Sequence, residues 1–549
     1  MSTVAELVGT TLARAGLGHV FGVVGSGNFH LTNALRAAGV PFTAMRHEGG
    51  AASAADAFSR MSGTLAALTV HQGCGLTQAM TGIAEAAKSR TPLLILAAEA
   101  GTGDVTSTFR IDQDALARGV GAIPQRVHSA RTALADVLRA VRTARELHRT
   151  VVLNLPVDVQ AQQVDPALLQ AELPLAIPSP PAPAPEAVRA LADLVAASRR
   201  PVLLAGRGGR GAGPELRELA AIAGALLATG AVASGLFAGD PFDLGISGGF
   251  SSPLTARLLA EADLVIAVGS ALNDWTTKRG ALIGSGAVLV QVDTDPAAIG
   301  AQRPVDLGVL GDAALTARAL TEELRRRGDD ADRYRSPELA ARIADRGRWR
   351  RVPTEDLSTA ERIDPRVLTA LLDDILPAQR IVSIDSGNFM GYPSQYLAVP
   401  DENGFCMTQA FQSIGLGLGT AIGAALARPE RMPVLGTGDG GFLMAISELE
   451  TACRLGIPLA IIVYDDAAYG AEIHHFGADA ELGAVTFPDT DLAAIARGYG
   501  AAGVVVHTPA DLAGVQTWVD SDPQGPLVID AKIASDGGAW WLQEAFAQH

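Results

Sequence analysis

The stretch that decides the fold is GDGGFLMAISELETACRLGIPLAIIVYDDAAYG, residues 438–470. An apolar segment at 432–435 predicts a strand that leads into a glycine-rich turn, where the backbone can bend sharply and approach a bound group closely. Beyond the turn, apolar residues recur at helical spacing, at Phe442, Ile446, Leu449 and Cys453. A second apolar segment, 457–463, predicts a buried strand that ends before two aspartates. The stretch therefore predicts a strand–turn–helix–strand unit.

Two acidic residues, Asp439 and Asp466, follow the two strands of this unit. In a parallel sheet, neighbouring strands deliver their carboxyl ends to the same edge, where such sheets bind ligands. We therefore expect both carboxylates to lie at one edge of the sheet, beside the start of the helix. Two hard oxygen ligands next to free backbone N–H groups suit a magnesium ion that carries a diphosphate. An ordinary strand–turn–helix–strand unit with solvated acids is the alternative interpretation.

This stretch resembles the cofactor signature of thiamine diphosphate (ThDP) enzymes, a Gly-Asp-Gly turn followed at a fixed distance by an asparagine. The resemblance implies that Asp439, Asp466 and the carbonyl of Ala468 bind Mg²⁺. It also implies that the diphosphate lies against a set of small and aromatic residues: Gly438, Gly440, Gly441, Tyr469 and Gly470. The sequence departs from the signature at Asp465-Asp466, where the family usually has Asn-Asn. This departure adds a negative charge beside the metal.

The composition limits the class of protein. With 549 residues the chain is too long for one hydrophobic core, so several domains are expected. A net charge of −16 argues against nucleic acid or an anionic membrane as the main partner. The cysteines, Cys74, Cys406 and Cys453, lack metal-ligand spacing and favour a reducing, cytoplasmic location. The start of the sequence lacks the pattern of a signal peptide, and no uncharged apolar run is long enough to span a membrane.

Strand and helix patterns alternate along the chain, which predicts an α/β fold whose mainly parallel sheets are flanked by helices. Three domains are expected, at residues 1–165, 185–330 and 360–549. A proline-rich linker separates the first two, and a charge-dense helical connection at 323–362 separates the last two. The resemblance implies that they are a pyrimidine-binding domain, a Rossmann-like central domain and a diphosphate-binding domain. In the first, the pattern predicts strands at 19–24, 40–45, 65–71, 92–97 and 150–155, and helices at 4–15, 29–38, 49–61 and 76–89.

Glu48 stands between a predicted strand and a predicted helix, in the segment Arg-His-Glu-Gly-Gly. This segment looks like the Arg-His-Glu segment of the family, whose glutamate hydrogen-bonds the aminopyrimidine ring of the cofactor. The resemblance implies that a neutral, donating Glu48 promotes the imino tautomer that removes the thiazolium proton. Burial would raise the pKa of the carboxyl group and favour this form. A solvated acid that favours the helix start is the alternative.

Two loops of the first domain carry residues suited to proton transfer. Ser26 follows the strand predicted at 19–24, and His71 ends the strand predicted at 65–71, so both loops should open at the same sheet edge. The two residues resemble a serine and a histidine of the benzoylformate decarboxylase branch. That resemblance implies a polar pocket that handles a carboxylate and moves protons. A turn serine and a structural histidine are the alternatives.

The third domain supplies further candidate contacts to the cofactor. A strand predicted at 380–384 leads into three potential donors to the diphosphate, Ser386, Gly387 and Asn388. Gln412 and Ile414 stand in a glycine-rich segment before a long alanine-rich helix. The resemblance implies that Ile414 is the bulky apolar residue that holds the cofactor in a bent shape. A core isoleucine is the alternative.

Glu472 and His475 follow the signature and share a face if their segment is helical, because residues three apart do so. Acetolactate synthases usually have an apolar pair and a tryptophan here, whereas some decarboxylases have a catalytic glutamate at the place of Glu472. The segment therefore favours a proton-handling site, with a solvated polar face as the alternative. The Trp540-Trp541 pair is a candidate cover for the pocket.

The central domain carries Gly-Arg-Gly-Gly-Arg-Gly at 206–211, after a predicted strand and before a helix, which matches a dinucleotide-binding pattern. No acidic residue stands near 225–228 to complete that fingerprint. We therefore predict a structural domain with a vestigial pocket. FAD is disfavoured, though not excluded, because 269–275 lacks the arginine-rich pattern of flavin-bearing acetolactate synthases.

The resemblance as a whole implies a ThDP- and Mg²⁺-dependent enzyme of the acetolactate synthase/benzoylformate decarboxylase group. The expected substrate is a 2-oxo acid that loses CO₂, after which an aldehyde is released or a second carbonyl compound is added. The alternatives are a 2-hydroxyacyl-CoA lyase, a catalytically silent ThDP-binding partner subunit and a nicotinamide oxidoreductase. In relatives the pyrimidine domain of one chain faces the diphosphate domain of another, which implies a homodimer or homotetramer with shared active sites.

Overall fold

The computed structural model describes residues 2–175, 178–477 and 479–536. It contains three six-stranded sheets, and every pairing within them is parallel. This confirms the predicted α/β class with three sheets flanked by helices. None of the helices in the described ranges is both long and apolar enough to cross a membrane. The Trp540-Trp541 pair lies outside the described residues.

The first domain holds a sheet in the order β3-β2-β4-β5-β7-β6 and a short antiparallel pair, β1-β8. The strands are β1 (Ser2–Thr3), β2 (His19–Gly22), β3 (Phe42–Ala44), β4 (Ala66–Val70), β5 (Leu93–Glu99), β6 (Ile123–Arg126), β7 (Thr150–Pro156) and β8 (Gln163–Val164). The helices are α1 (Val4–Arg14), α2 (Phe29–Ala37), α3 (Glu48–Ser62), α4 (Cys74–Gln78), α5 (Met80–Lys88), α6 (Gln113–Gly119), α7 (Ala133–Glu146) and α8 (Val157–Gln160). The single helix predicted at 76–89 is therefore two helices, α4 and α5, which meet at Ala79.

The central domain has the strand order β11-β10-β9-β12-β13-β14. Its strands are β9 (Pro201–Ala205), β10 (Leu226–Thr229), β11 (Asp243–Ile246), β12 (Leu264–Val268), β13 (Val288–Asp293) and β14 (Leu307–Leu310). Its helices are α9 (Pro185–Ala197), α10 (Gly213–Ile222), α11 (Pro253–Ala260), α12 (Asp274–Thr277) and α13 (Ala313–Arg327), and the connection to the next domain contains α14 (Pro337–Arg346).

The glycine-rich loop of the central domain is filled by its own neighbours. The N–H groups of Gly206 and Gly208 donate to the carbonyls of Val268 and Gly269, at 2.9 and 3.0 Å. A Cβ at Gly206 would overlap the carbonyl oxygen of Gly269. In this conformation the loop packs against the end of β12, and the vestigial pocket stays a prediction.

Two arginines of the same loop reach the other domains instead. Arg207 donates to the carbonyl of Ser89, and Arg210 donates to the carbonyl of Arg60 at 3.3 Å and to the Asn403 side chain at 3.1 Å. Both guanidinium groups are buried, and burial lowers the pKa of each. The loop therefore joins the central domain to the first and third domains.

The third domain has the strand order β16-β15-β17-β18-β20-β19. Its strands are β15 (Arg380–Ile384), β16 (Phe405–Met407), β17 (Met432–Gly438), β18 (Ala460–Asp465), β19 (Ala502–Val506) and β20 (Leu527–Lys532). Its helices are α15 (Pro365–Ile375), α16 (Gly391–Tyr396), α17 (Gly417–Ala427), α18 (Asp439–Met444), α19 (Ser447–Arg454), α20 (Gly470–Phe476), α21 (Leu492–Gly498) and α22 (Ala513–Asp520). The helix predicted after the glycine turn is two helices, α18 and α19, and Asp465 belongs to β18 rather than following it.

The first and third domains pack through α3 and α17. Small residues let the two backbones approach closely, because a Cβ at Gly419 would lie 3.0 Å from the Cα of Gly50 and a Cβ at Gly423 would overlap the carbonyl of Ala54. Buried side chains from both domains form one continuous hydrophobic core around this contact. The helix that begins with Glu48 is therefore fixed against the domain that carries Asp439.

Candidate active site

Asp439 and Asp466 lie at one edge of the third sheet. Asp439 is the first residue of α18, and Asp466 directly follows β18, which pairs in parallel with β17. Burial and the charges of Asp466 and Asp465 raise the pKa of Asp439 to about 7. Burial and the charge of Asp465 likewise raise the pKa of Asp466 to about 7. Two carboxylates with raised pKa values favour a bound cation.

The donor set fits a divalent metal ion. Neither Asp439 nor Asp466 forms an ion pair with a Lys or Arg side chain within the ranges that the structure describes. Arg362, whose charge acts on Asp466, donates instead to the main-chain oxygens of Asp465 and Ile533. No group of three or more His, Cys, Asp or Glu side chains forms a metal site in the described residues, which agrees with two carboxylates and a main-chain carbonyl as ligands.

The turn after β18 is held in an unusual shape. Ala467 has a φ of 56°, a left-handed conformation that is costly for a residue with a Cβ. Its N–H donates to the Asp465 side chain at 2.9 Å, and its carbonyl accepts from the N–H of Phe487 at 2.8 Å. The N–H of Tyr469 donates to a neighbouring main-chain carbonyl at 2.9 Å. These bonds fix Asp466 and Ala468, which lie on the same turn.

A cavity of about 440 Å³ opens at this sheet edge, and Asp439 and Asp465 line part of it. Its lining includes Asp439, Gly440, Tyr469 and Phe487, all from the third domain. The rings of Tyr469 and Phe487 meet edge to face, with centroids 4.9 Å apart. A Cβ at Gly440 would lie 2.7 Å from the Tyr469 ring, so glycine is required where the turn passes this aromatic wall.

Asp385 connects the loops that carry the other predicted cofactor contacts. Its side chain accepts from the N–H of Ser386 at 2.8 Å, the N–H of Gly415 at 3.0 Å and the hydroxyl of Thr437 at 3.3 Å. Burial raises the pKa of Asp385 to about 6. The sequence analysis did not single out this residue. Its position directly after β15, at the carboxyl edge of the sheet, could have identified it from the sequence.

The structure brings the predicted residues of these two loops together. The hydroxyl of Ser386 donates to the carbonyl of Gln412 at 3.4 Å. Gln412 is exposed and has a φ of 59°, and Gly387 has a φ of 148°. Asn388 is buried, and Ile414 is partly buried rather than part of the closed core. Backbone strain of this kind concentrates at ligand sites.

Ser26 and His71 lie in neighbouring loops at the edge of the first sheet. The N–H of Gly27 donates to Nδ1 of His71 at 3.1 Å. Because Nδ1 accepts this bond, a neutral His71 carries its proton on Nε2. The His71 ring also meets the Phe109 ring edge to face, with centroids 5.0 Å apart. Ser26 is exposed next to it, so the loop pair offers a hydroxyl and an imidazole N–H to a ligand.

Two glutamines belong to the same pocket and were not predicted. The side-chain oxygen of Gln113 accepts from the N–H of Gly73 at 3.0 Å, and its amide donates to Asn154 at 2.7 Å. The side-chain oxygen of Gln72 is buried and has no hydrogen-bond partner among the described residues. Gln72 directly follows His71 in the sequence, and this position could have identified it as a candidate.

Glu48 is the first residue of α3, and the turn before it is bound by α19. His47 caps the helix by accepting from the N–H of Gly49 at 2.9 Å. The N–H of His47 donates to the buried Glu448 side chain at 2.9 Å, and the Arg46 guanidinium pairs with Glu450 at 2.5 Å. Glu48 itself is half-buried. Glu448 and Glu450 thus position the Glu48 turn, and the sequence analysis missed both.

Glu472 and His475 lie on α20, so the segment that carries them is helical. Both residues are partly buried, and the neighbouring Phe476 is 60% exposed. The ring of His475 meets the ring of Phe476 edge to face, with centroids 4.6 Å apart. The helix directly follows the turn of Asp466 and Ala468, which places it at the same sheet edge.

Comparison with models of protein families shows to which family these three domains belong. The amino-terminal, central and carboxy-terminal domain models of thiamine pyrophosphate enzymes match residues 2–118, 188–320 and 385–531, respectively. The chain belongs to the thiamine pyrophosphate enzyme family. The matched ranges contain Glu48 in the first domain and both Asp439 and Asp466 in the third, and the two terminal models are described as thiamine pyrophosphate-binding domains.

Curated relatives of this thiamine pyrophosphate enzyme span several activities. A sulfoacetaldehyde acetyltransferase of Rhodobacter capsulatus is 30% identical, over 100% of this chain and 97% of the relative. A probable 2-ketoarginine decarboxylase of Pseudomonas aeruginosa is 32% identical, over 93% of this chain and 90% of the relative. A probable acetolactate synthase large subunit of Methanococcus aeolicus is 26% identical, over 82% of this chain and 78% of the relative.

In this thiamine pyrophosphate enzyme, the candidate residues form two separate half-sites within one chain. The first half-site contains Glu48, Ser26 and His71, and the second contains Asp439 and Asp466. No hydrogen bond, ion pair or ring contact joins the two across the described ranges. Every residue that lines the 440 Å³ cavity comes from the third domain. The cavity beside Asp439 is thus built by the third domain, and the residues of the first half-site do not line it.

Proposed function

We propose that this chain is a ThDP- and Mg²⁺-dependent enzyme that cleaves or forms a C–C bond next to a carbonyl, with a 2-oxo acid that loses CO₂ as its substrate. The observation that carries the proposal is the pair of carboxylates of Asp439, which is buried, and Asp466, which is half-buried, beside a glycine-rich turn and without a Lys or Arg ion-pair partner in the described ranges. A divalent cation neutralises such a pair, and the carbonyl of Ala468 supplies a third hard oxygen ligand.

When bound, ThDP supplies a carbanion that adds to a carbonyl carbon and then accepts the electron pair released as a C–C bond breaks. The chain's own residues hold and orient it. Ser386 and Asn388 donate to the diphosphate from a loop that Asp385 fixes. Ile414, on the other loop bound to Asp385, lies where an apolar side chain can press against the ring system.

The first half-site handles protons. His71 presents Nε2–H because Nδ1 is occupied by the N–H of Gly27. This N–H can donate to a substrate carboxylate or carbonyl oxygen, and the exposed hydroxyl of Ser26 can do the same. Glu48 faces the pyrimidine ring in the proposal and donates its proton there. Glu472 and His475 are proposed to handle protons from the second half-site.

The names of the relatives support C–C cleavage next to a carbonyl as the shared step, because they cover a decarboxylase, an acetyltransferase and an acetolactate synthase. The step that follows is the protonation of the remaining carbon fragment to an aldehyde or its addition to a second carbonyl compound. The proton donors around His71 support the first outcome, and the relatives at 30% and 26% identity support the second.

We propose that two copies of the chain complete each active site. Both half-sites are bordered by exposed apolar side chains, among them Phe29 and Val105 in the first domain and Met444 and Phe487 in the third. Docking the first half-site of one copy on the second half-site of another would cover these surfaces. It would also bury Glu48 further, which the proposed neutral form requires.

The proposal is tested by incubating the protein with ThDP, Mg²⁺ and a panel of 2-oxo acids and 2-hydroxyacyl-CoAs, and by following CO₂ and the carbon products. CO₂ release that requires both ThDP and Mg²⁺ is expected. Cleavage of a 2-hydroxyacyl-CoA without CO₂ would identify a lyase instead. ThDP binding without turnover of any compound would point to a silent partner subunit.

The metal site is tested by calorimetry on Asp439→Ala. Loss of one of two carboxylate ligands should weaken ThDP binding in the presence of Mg²⁺ by more than about tenfold. Asp345→Ala is the control, because Asp345 is an exposed residue of α14 remote from both half-sites. Wild-type affinity in Asp439→Ala would overturn the assignment of this site.

A further inference from the structure

Lys532 is a buried cation at the end of β20, next to the turn that carries Asp466. Its ammonium group donates to the side chains of Asp465 and Asp489, both at 2.6 Å, and to the carbonyl of Thr490 at 2.8 Å. It also pairs with the buried Asp530 at 3.3 Å. An ammonium group has three N–H donors, and here all three are used. The Lys532 side chain is only 5% exposed, so these bonds hold it in one place.

Lys532 acts on the Asp466 turn through Asp465. One oxygen of Asp465 accepts from Lys532, and the other accepts from the N–H of Ala467 at 2.9 Å. Ala467 is the residue in the left-handed conformation, and Asp466 and Ala468 flank it on either side. The bond from Asp465 is therefore one of the bonds that hold this strained turn, and Lys532 holds Asp465.

Lys532 also binds the opposite wall of the cavity. Thr490, whose carbonyl accepts from Lys532, lines the 440 Å³ cavity together with Asp439 and Asp465. The segment before it contains Phe487, which forms the aromatic wall with Tyr469. The Lys532 side chain thus binds both the turn that carries two proposed metal ligands and the segment that contains Phe487.

We propose that Lys532 is a positioning residue of the cofactor site, which sets the Asp466 turn and offsets the charge of Asp465. The inference rests on the function proposed above, because it takes Asp439, Asp466 and the Ala468 carbonyl as metal ligands. Asp465 contributes a further negative charge at the edge of the cavity, and Lys532 offsets part of it, since its ammonium group is shared with Asp489 and Asp530.

The two possible roles of Lys532 predict opposite changes in the affinity for a divalent cation when the residue is removed. If only its charge mattered, removing Lys532 would strengthen the binding of a divalent cation, because one repulsive charge is lost. If Lys532 positions the turn, its removal weakens metal binding, since losing a residue behind a ligand typically costs about 10–100-fold in affinity. The direction of the change therefore separates the two roles.

The experiment is a titration of the full-length protein with Mn²⁺, followed by electron paramagnetic resonance, first alone and then with ThDP. Lys532→Met is expected to bind Mn²⁺ about 10–100-fold more weakly. Adding Asp465→Asn to Lys532→Met should restore part of the affinity, because the amide oxygen can still accept from the Ala467 N–H and the charge of Asp465 is removed. Asp345→Asn is the control, because Asp345 is exposed on α14 and pairs with Arg346 rather than with Lys532; it should bind Mn²⁺ as the wild type does.

Unchanged or tighter Mn²⁺ binding in folded Lys532→Met would overturn the inference. If thermal unfolding shows that Lys532→Met does not fold, Lys532→Gln replaces it, because this variant keeps an N–H donor near Asp465. Weaker Mn²⁺ binding than in the wild type is again the expected result, and unchanged or tighter binding again overturns the inference. Mn²⁺ binding that is also unchanged in Asp439→Ala and Asp466→Ala would instead defeat the proposed metal site itself. The failure of the inference and the failure of the proposed function are thus distinguishable.

Discussion

Glu48 is the residue whose chemistry can be tested without knowing the substrate. If it donates its proton to the pyrimidine ring, Glu48→Gln keeps the shape of the side chain but cannot transfer that proton. Exchange of the thiazolium C2 proton of bound ThDP for deuterium should then slow by about 10²–10⁴-fold, the usual worth of general acid–base help. ThDP affinity should change far less, because Asp439, Asp466 and the diphosphate contacts carry most of it.

Glu186 provides a matched control for this prediction. It is also an acid in the first turn of a helix, α9, but it is exposed and lies in the central domain. Glu186→Gln should leave the exchange rate unchanged. If Glu48→Gln behaves in the same way as Glu186→Gln, Glu48 is only an acid that favours the start of α3, and the proposed mechanism is wrong.

Some residues of the candidate site could be predicted from sequence and others could not, for a physical reason. Asp439 and Asp466 stand directly after β17 and β18, and Glu48 follows β3 by a short turn, so local patterns place all three at a sheet edge. Glu448 is different, because it accepts from the N–H of a residue 401 positions away. Lys532 likewise acts on a side chain 67 positions away. Such residues are defined by tertiary contacts, and a single sequence contains no local signal for them.

At the scale of elements, the contact between α3 and α17 depends on glycine. Gly423→Ala should destabilise the protein, because its Cβ would overlap the backbone carbonyl of Ala54 and force the two helices apart. Overpacking of this kind costs about 1–3 kcal/mol. The expected result is a lower midpoint of thermal unfolding and faster proteolytic cleavage between the first and third domains.

Gly119→Ala is the matched control for that change. Gly119 is the last residue of α6, and a Cβ there would meet open space. Alanine is a better helix former than glycine, so this substitution alone should be neutral or slightly stabilising. Equal unfolding midpoints for Gly423→Ala and Gly119→Ala would show that α3 and α17 do not need their close approach.

Several of the elements that sequence patterns missed are short edge strands. β6 has the sequence Ile-Pro-Gln-Arg and β14 has Leu-Gly-Val-Leu, and each lies at the edge of its sheet. Edge strands have one side without a partner strand, so they need no continuous apolar run and tolerate proline. The central strands β4, β5 and β18 are largely apolar and were predicted within a few residues.

At the scale of the whole molecule, we propose that two chains complete the active site. The residues that line the cavity beside Asp439 come from the third domain, although α3 of the first domain packs against α17 of the third. The turn before Glu48 is bound by α19 of the same chain. This packing orients Glu48 on a fixed support, while exposed apolar side chains around each half-site leave it open to a second copy. A sequence pattern shows each half-site but not which chain completes it.

Mixing two inactive variants tests the shared site. Glu48→Gln lacks a working first half-site, and Asp439→Ala lacks a working second one. In a mixed dimer, one of the two active sites combines both defects, and the other combines the intact half-sites of the two chains. Random exchange of equal amounts makes half of the dimers mixed, so about a quarter of the wild-type number of sites should become active. If each chain formed its own site, every site would keep one defect and no activity would return. The measurement is CO₂ release after subunit exchange, with the exchange itself confirmed by native mass spectrometry, and full exchange without any recovered activity would rule out the shared site.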